Sequence, residues 1–451
     1  MLSYCVRNVL SRRQCTLNAA PALQLSRRHC SASSGGDLDQ VGALLQLCAD
    51  RHYVSPGQTN TERFQCGASC VYGPLGTELR RNLLEQWWHS VTRSTAQVFG
   101  INTLSSSQDT ATGGPLRMVK SDCLQHIMDQ RELSREQLVQ EVQALIQRSP
   151  SPRTNFLQGA LEQFVPSLEL VNRKLPFGLA ESGLCFQPSD GDGCPTEVTQ
   201  TSLVWFCSPR TSSHWLDHWA RQRLKWWRKF ALSPSDFSCS DVPVEELEGA
   251  ASRGVRIVYS FPWGPEPLET LWSRGQTELL QTHKGVRSKL QCRDSRKSVA
   301  HVVSVTGNMD RGVMAFLSNS LQQVKNEDNK QKLQRRKVLK LHPVLAPVKV
   351  ALDIGRGATM ELRQVCEGLL QELMEAKISA WPGYLETMPT SMEQLNAKYD
   401  EMGVLFTVVI SENTLESGLL QVRSRDTTVR ETKHISEIKN FLSRYISATD
   451  I

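Results

Sequence analysis

The residues best placed to do chemistry in this sequence of 451 amino acids are cations. Lys284, Arg287, Lys289, Arg293, Arg296 and Lys297 form one cluster, with only Asp294 among them. A second cluster holds Lys325, Lys330, Lys332, Arg335, Arg336, Lys337 and Lys340. Such density is either a solvated face or a phosphate-backbone surface. Arg221, Arg223, Lys225, Arg228 and Lys229 alternate with Trp219, Trp226 and Trp227, which fits a base-stacking surface or, with better spacing, an amphipathic helix with buried tryptophans. Catalytic constellations are harder to find. There is no phosphate-cradling G-x-x-x-x-G-K run, and Gly355-Arg356-Gly357 lacks the third glycine of a dinucleotide fingerprint. His342, in Leu-His-Pro, reads as a turn residue. The thirteen cysteines are scattered and the closest spacing, Cys66 and Cys70, has no second pair nearby, so neither a metal site nor a disulfide framework is expected. No cofactor is expected either.

The net charge of +6 is mostly a property of one end. Residues 1–36 carry Arg7, Arg12, Arg13, Arg27 and Arg28 and no acid, which accounts for five of the six charges. This segment has the composition of a mitochondrial transit peptide and lacks the apolar block of a secretory signal. A mitochondrial matrix location with reduced thiols follows as an expectation. The body is nearly neutral, so any nucleic-acid surface must be local. No apolar run approaches the ~20 residues of a membrane span.

The remaining length allows roughly two or three domains. Helical spacing marks Val41–Ala49 and the stretch after Tyr72-Gly73-Pro74-Leu75-Gly76, where Leu79, Leu83, Leu84 and Trp87 share a face. Residues 121–174 read as a helical hairpin. Ser134 and Gln137 form a capping box, Leu138, Val139, Val142, Leu145 and Ile146 follow on one face, and Leu157, Leu161 and Phe164 lie on a second helix that Pro166 could split. Those stripes either pack on the core or pair with a second copy as a four-helix bundle. Asn326 to Lys337 reads as a polar linker. Beyond it, Val348–Ile354 and Val404–Ile410 are buried-strand runs, Leu362 to Met374 is an amphipathic helix, and Ile435 to Ile446 is the last helix, an α/β pattern.

The Ala346-Pro347-Val348-Lys349 entry, the Tyr399-Asp400-Glu401-Met402-Gly403 turn and the Arg423-Ser424-Arg425-Asp426-Thr427 strand end resemble the anticodon-binding domain of class IIa aminoacyl-tRNA synthetases, the glycyl enzymes above all. Phe177 to Pro188, Thr196 to Phe206, Val258 to Gly275 and Val302 to Gly312 extend the resemblance to the catalytic body. It implies a class II antiparallel sheet core with a helical-hairpin insertion over residues 37–330, and an anticodon-binding-like α/β domain with a mixed sheet over 331–451. It also places Leu268-Glu269 and Arg274 on the amino-acid pocket strand, and Arg311, after Gly307 and Asp310, at the third signature motif.

The second motif departs from the pattern. The family's Phe-Arg-x-Glu reads Phe186-Gln187-Pro188-Ser189, and a glutamine cannot bring charge to a phosphate. Loss of one preorganised donor of this kind costs on the order of 10²–10³ in rate. No synthetase activity is therefore expected, and Arg311 is expected to be structural. Arg210 to Trp219 and Trp381 to Met388 instead resemble the family of accessory subunits of animal mitochondrial DNA polymerases. That resemblance implies a non-catalytic homodimer in the matrix nucleoid that binds the polymerase's catalytic chain and grips duplex DNA without reading sequence. The phosphate contacts would come from Lys284, Arg287, Lys289, Arg293, Arg296, Lys297, Lys332, Arg335, Arg336 and Lys337. Dimerisation would use the 121–174 hairpin, and docking the Leu415–Gly418 turn with Gly418, Leu419 and Arg423. A divergent glycyl- or prolyl-type synthetase and a tRNA-binding paralogue are the alternatives.

Overall fold

The computed structural model describes residues 35–56, 70–93, 97–107, 116–130, 133–187, 196–284, 286–293, 298–325, 335–355, 359–386 and 391–448. A seven-stranded sheet forms the body. Its strands are Val98–Gly100 (β1), Phe177–Gln187 (β2), Thr196–Cys207 (β3), Phe237–Asp241 (β4), Arg253–Phe261 (β5), Gly264–Gly275 (β6) and His301–Asn308 (β7). The spatial order is β1-β2-β3-β7-β6-β5-β4, antiparallel except for the β1–β2 pair. The expected antiparallel core is present. β3 is buried from Val198 onward and does not alternate, because both of its faces are covered.

Helices Gly35–Asp50 (α1) and Pro74–Thr92 (α2) pack on this body, with Pro74 in the first turn where its missing N–H costs nothing. Leu79, Leu83, Trp87 and Val91 are the buried face of α2. The helix expected to open at Ser134 is present with its Ser134–Gln137 capping box, but the hairpin differs from the expected one, since the short Ser121–Asp129 (α3) packs on Arg135–Arg148 (α4) in place of the helix expected from Leu157. Each buries one residue, Ile127 and Leu145. The anticipated second long helix is instead two short ones, Leu157–Glu162 (α5) and Phe164–Leu170 (α6). The break falls at Gln163, so that Pro166 sits in a first turn, where its missing N–H is tolerated. Ser212–Lys229 (α7) buries Trp219, Trp226 and Trp227, so the helix reading of the tryptophans is the correct one. Met309–Ser320 (α8) is buried almost throughout.

The anticipated linker contains structure. Leu321–Lys325 (β8) and Arg335–Leu339 (β9) pair as an antiparallel ribbon, so the body's backbone runs on past residue 330. The second sheet holds Val350–Ile354 (β10), Ala380–Trp381 (β11), Phe406–Ile410 (β12), Leu419–Ser424 (β13) and Arg430–His434 (β14), in the order β11-β10-β12-β13-β14. β10 is parallel to β11 and β12, and the last two strands are antiparallel, the expected mixed sheet. Thr359–Glu375 (α9), Met392–Glu401 (α10), Glu412–Ser417 (α11) and Ile438–Ala448 (α12) complete the unit.

The two units share one apolar core, in which Tyr53, Leu339, Leu345, Tyr399 and Val404 are all buried. Polar ties cross the same seam. Tyr53 Oη donates to Met402 O at 3.0 Å, Asn82 Nδ2 to Leu345 O at 3.2 Å, and Arg51 pairs with Glu401. Among the described residues no helix is long and apolar enough to cross a membrane.

Candidate functional site

A cavity of about 310 Å³ opens where β2, β3, β6 and β7 meet the start of α8. Gln187, Gln200, Thr270, Trp272, Arg274, Asn308 and Arg311 are among its lining residues. It is the place that the synthetase resemblance assigns to chemistry, and Gln187 does line it. Ser189 lies outside the described residues. Arg311 sits in the first turn of α8, where Asn308 accepts its backbone N–H at 2.9 Å as an N-cap. Its guanidinium donates to Pro267 O at 3.0 Å and lies 3.8 Å from Glu266. The neighbouring Asp310 is fully buried and accepts from Tyr72 Oη at 2.9 Å and from the Thr199 N–H at 2.5 Å. Burial pushes its pKa up against those donors and Arg80. Arg311 thus has internal ties, as the sequence suggested.

Of the residues that the resemblance places on the pocket strand, Leu268 and Arg274 line the cavity and Glu269 does not. Leu268, Thr270, Trp272 and Arg274 line the cavity, while Glu269 projects to the opposite face of β6, as strand alternation requires. There Arg223 of α7 forks onto it, Nη2 to Oε1 at 2.8 Å and Nε to Oε2 at 2.9 Å, with both side chains buried. The Trp226 ring lies 4.3 Å from the same guanidinium. Arg274 is held by Ser304 Oγ at 2.9 Å, Glu278 at 3.0 Å and Glu248 at 3.5 Å. Sequence reading also passed over His214 and His218, one turn apart on α7 beside Asp217. Asp217 is taken by Arg253 at 2.8 Å, burial and His214 lower the His218 pKa, and no metal-binding group of three such residues occurs among the described residues.

The first basic cluster is an exposed surface. Lys284, Arg287, Lys289 and Arg293 all face solvent, and none makes an ion pair with a described residue. Arg173 braces the turn beneath them by donating to Ser288 O and Gln291 O. Arg296, Lys297 and Lys332, and the Arg335 side chain, lie outside the described residues. Arg336 departs from expectation. It is only partly exposed and its guanidinium contacts the buried Asp400, so it is not a free surface cation. Lys337 is half-buried on the same strand.

Two further expectations shift. Arg423 is buried and forks onto Asp400, with both N–O distances 3.0 Å, so it offers no docking contact. β13, which carries Leu419 and Arg423, is an inner strand covered by β14, so it offers a partner no free backbone edge. Leu419 is 42% exposed, and Gly418 adopts φ +70 at the end of α11. In the hairpin, Leu138 and Val142 are half-buried and Leu145 is buried. Leu161 and Phe164, with Leu157 packed against them, belong to the monomer's own cluster around Phe177, Phe206 and Val302 and are unavailable to a partner. Val139 and Ile146, 45% and 42% exposed, are the apolar residues α4 does present to solvent. A groove of about 820 Å³ runs between Met118, Ile127, Leu145 and Pro150.

Residues 344–445 match the family model for the anticodon binding domain. Over nearly the whole length, the chain is similar to DNA polymerase subunit gamma-2 of Mus musculus, 50% identical over 90% of each chain. It is 48% identical to the Xenopus laevis mitochondrial protein of that name, covering 93% of this chain and 92% of the relative. Glycine–tRNA ligase of Corynebacterium glutamicum is 25% identical, over 90% and 98%. Among solved structures, prolyl-tRNA synthetase from Cryptosporidium parvum with L-proline and AMP superimposes with a TM-score of 0.63 at 11% identity, over 92% of this chain and 80% of that one, a likeness of fold.

Proposed function

Because this chain belongs to the DNA polymerase subunit gamma-2 family, we propose that it serves a mitochondrial DNA polymerase as its accessory subunit, without catalysing a reaction of its own. It acts as a homodimer in the matrix nucleoid, binds one catalytic chain, holds duplex DNA without sequence preference and raises processivity. The carrying observation is the half-identity to these relatives over nine-tenths of both chains.

The site geometry supports the non-catalytic part. Adenylate formation needs cations free to meet the charge that develops on the α-phosphate. Here Gln187 stands at one such position, Arg311 is tied to Pro267 O and Glu266, and Glu269 has turned away to Arg223. The exposed Lys284–Arg293 surface supports sequence-blind binding, since phosphate contacts hold a duplex without reading it. Val139 and Ile146 support the hairpin as the dimer contact, because two helices that bury one residue each leave an apolar stripe unspent. The Leu415–Leu419 turn remains the docking candidate.

Primer extension by the catalytic chain on a long template is the test. Added full-length chain should lengthen the products of single binding events. Unchanged product length, together with amino-acid-dependent pyrophosphate exchange, would favour a divergent synthetase, and preference for tRNA over duplex DNA in competition would favour a tRNA-binding paralogue.

A further inference from the structure

The body's sheet ends on β4, and no described strand covers its outer side. The register shows which backbone groups are left over. The Val242 N–H donates to Gly254 O at 2.9 Å, so residue 242 sits at a hydrogen-bonded position opposite β5. Such positions recur every second residue, so Ser240 and Ser238 turn their backbone groups to β5 while Phe237, Cys239 and Asp241 turn theirs outward. The Phe237 carbonyl bears this out, because Arg228 of α7 reaches it from outside the ladder, with Nη2 at 2.7 Å and Nε at 3.0 Å. Cys239 and Asp241 each keep an outward N–H and carbonyl that no backbone group among the described residues bonds.

This edge borders a cleft of about 470 Å³. Asp217, Arg221 and Leu224, on one flank of α7, wall it opposite Cys239 and Asp241, over an apolar floor of Ala220 and Val255. The carboxylates here have partners, since Arg253 holds Asp217 at 2.8 Å and Asp241 at 3.3 Å. The cations of the α7 flank do not. Arg221 is exposed, donates to the Asp217 backbone carbonyl at 3.2 Å and pairs with no carboxylate among the described residues. Arg228 bonds only the neutral Phe237 carbonyl. Two guanidiniums without a counter-charge therefore lie beside a stretch of open strand edge.

We propose that β4 takes an extended acidic peptide of a partner protein as an added strand. In an antiparallel addition the residue opposite Cys239 exchanges both backbone bonds with it. Strand alternation turns that residue's side chain to the face of the sheet that Cys239 and α7 share, between Arg221 and Arg228, where a carboxylate meets both. The residue opposite Asp241 is uncharged, because the Asp241 side chain stands 74% exposed at the other end of the cleft. Nucleic acid fits the edge less well. Phosphates accept hydrogen bonds and donate none, so they leave the outward carbonyls unmet, and the α7 tryptophans that would stack bases are buried. A second copy pairing β4 on β4 would bring five residues a side, against the roughly 20–30 of a stable interface. The small contact makes the peptide complex a transient one. It does not depend on the duplex-binding reading above.

The test is fluorescence anisotropy of the full chain with a labelled, end-capped heptapeptide that carries glutamate at two alternate positions among valines and threonines. The peptide should bind, and N-methylation of the amides that face β4 should weaken it about tenfold or more. Arg221→Gln should weaken it roughly two- to fivefold at low salt and by less at high salt, as for an exposed ion pair. Cys239→Pro deletes the outward N–H, a change an edge strand tolerates, and should remove most of the binding with the circular dichroism unchanged. If that variant does not fold, the N-methylated peptide on the parent chain decides. Binding that N-methylation leaves unchanged, or that a lysine-for-glutamate peptide matches, overturns the proposal. So does the absence of binding at millimolar peptide, whether duplex DNA occupies the flank instead or the chain pairs with itself there, the latter read as a rise in mass with concentration that Cys239→Pro removes.

Discussion

Gly418 is where a single substitution should separate the stability of the second unit from its docking. The residue closes α11 at φ +70, ψ 3, the left-handed region, and its N–H caps the helix on Thr414 O. A side chain there meets two obstacles. The left-handed conformation costs an L-residue roughly 1–2 kcal/mol. A Cβ would also stand 2.4 Å from His434 Nε2 and 2.9 Å from its Cδ2, so the imidazole must move. That ring is not idle, since its Nδ1 contacts Ser436 Oγ at 2.8 Å and caps the turn into α12. Loss of such a contact costs about 0.5–1.5 kcal/mol. Gly418→Ala should therefore destabilise the protein by roughly 2–3 kcal/mol, somewhat less if the exposed ring relaxes freely. Gly418→Glu should match it in strain and add a charge beside Leu415 and Leu419. Urea unfolding of both variants gives the stability, and titration with the catalytic chain gives the affinity. A Gly418→Ala protein as stable as the parent would refute the strain reasoning. A destabilised but folded Gly418→Glu protein with parental affinity would move the docking surface away from this turn.

Three further outcomes are expected. The purified chain should show no amino-acid-dependent pyrophosphate exchange, and Gln187→Arg alone should not restore it, because Arg311 is tied to Pro267 O and Glu266; exchange above background would contradict this. Val139→Asp with Ile146→Asp should shift sedimentation towards monomer and leave the circular dichroism unchanged, since both side chains are exposed; a fully dimeric double variant would put the contact elsewhere. Asp353, buried with only Tyr399 Oη on one oxygen, has its pKa raised from 3.8 to about 6, chiefly by burial. It binds its proton more tightly folded than unfolded, so its ionisation removes stability as pH rises from about 4 to 6. Asp353→Asn should gain roughly 2–3 kcal/mol at neutral pH and lose that advantage by pH 4 in parallel urea titrations.

The sequence announced its elements better than its contacts. The Ser134–Gln137 box, the Pro74 helix start and the two β-branched runs of the second sheet are local signals, and each produced its element. Long-range pairing carries no such mark. Nothing in R-R-K-V-L says that β9 will pair with β8, nor that Asp400, many residues on, will draw Arg336 inward. Charge clusters mislead for that reason, because a cation's partner is set by the fold and not by its neighbours in the chain. Glu269 shows the same limit at the scale of one residue. Its strand was correctly placed, but which face it took depends on register, and a shift of one residue reverses the answer. The 121–174 segment failed differently. Its apolar periodicity continues through Gln163, while the core accepts Leu161, Phe164 and Leu168 only after the helix is broken.

The charged groups in and around the cavity are committed to partners within the protein. Arg223 holds Glu269, Asp310 holds Tyr72 and the Thr199 amide, and Arg311 braces Pro267 and Glu266. Buried pairs of this kind add little net stability, because desolvation offsets most of their attraction. Their consequence is for binding. A ligand entering the cavity meets guanidiniums that already have partners, and it must break those pairs to gain new ones. A phosphate arriving at the surface formed by Lys284, Arg287, Lys289 and Arg293 breaks nothing. Anion binding at that surface would therefore cost less than in the cavity, and contacts of that kind carry no base preference, as the proposed accessory role requires.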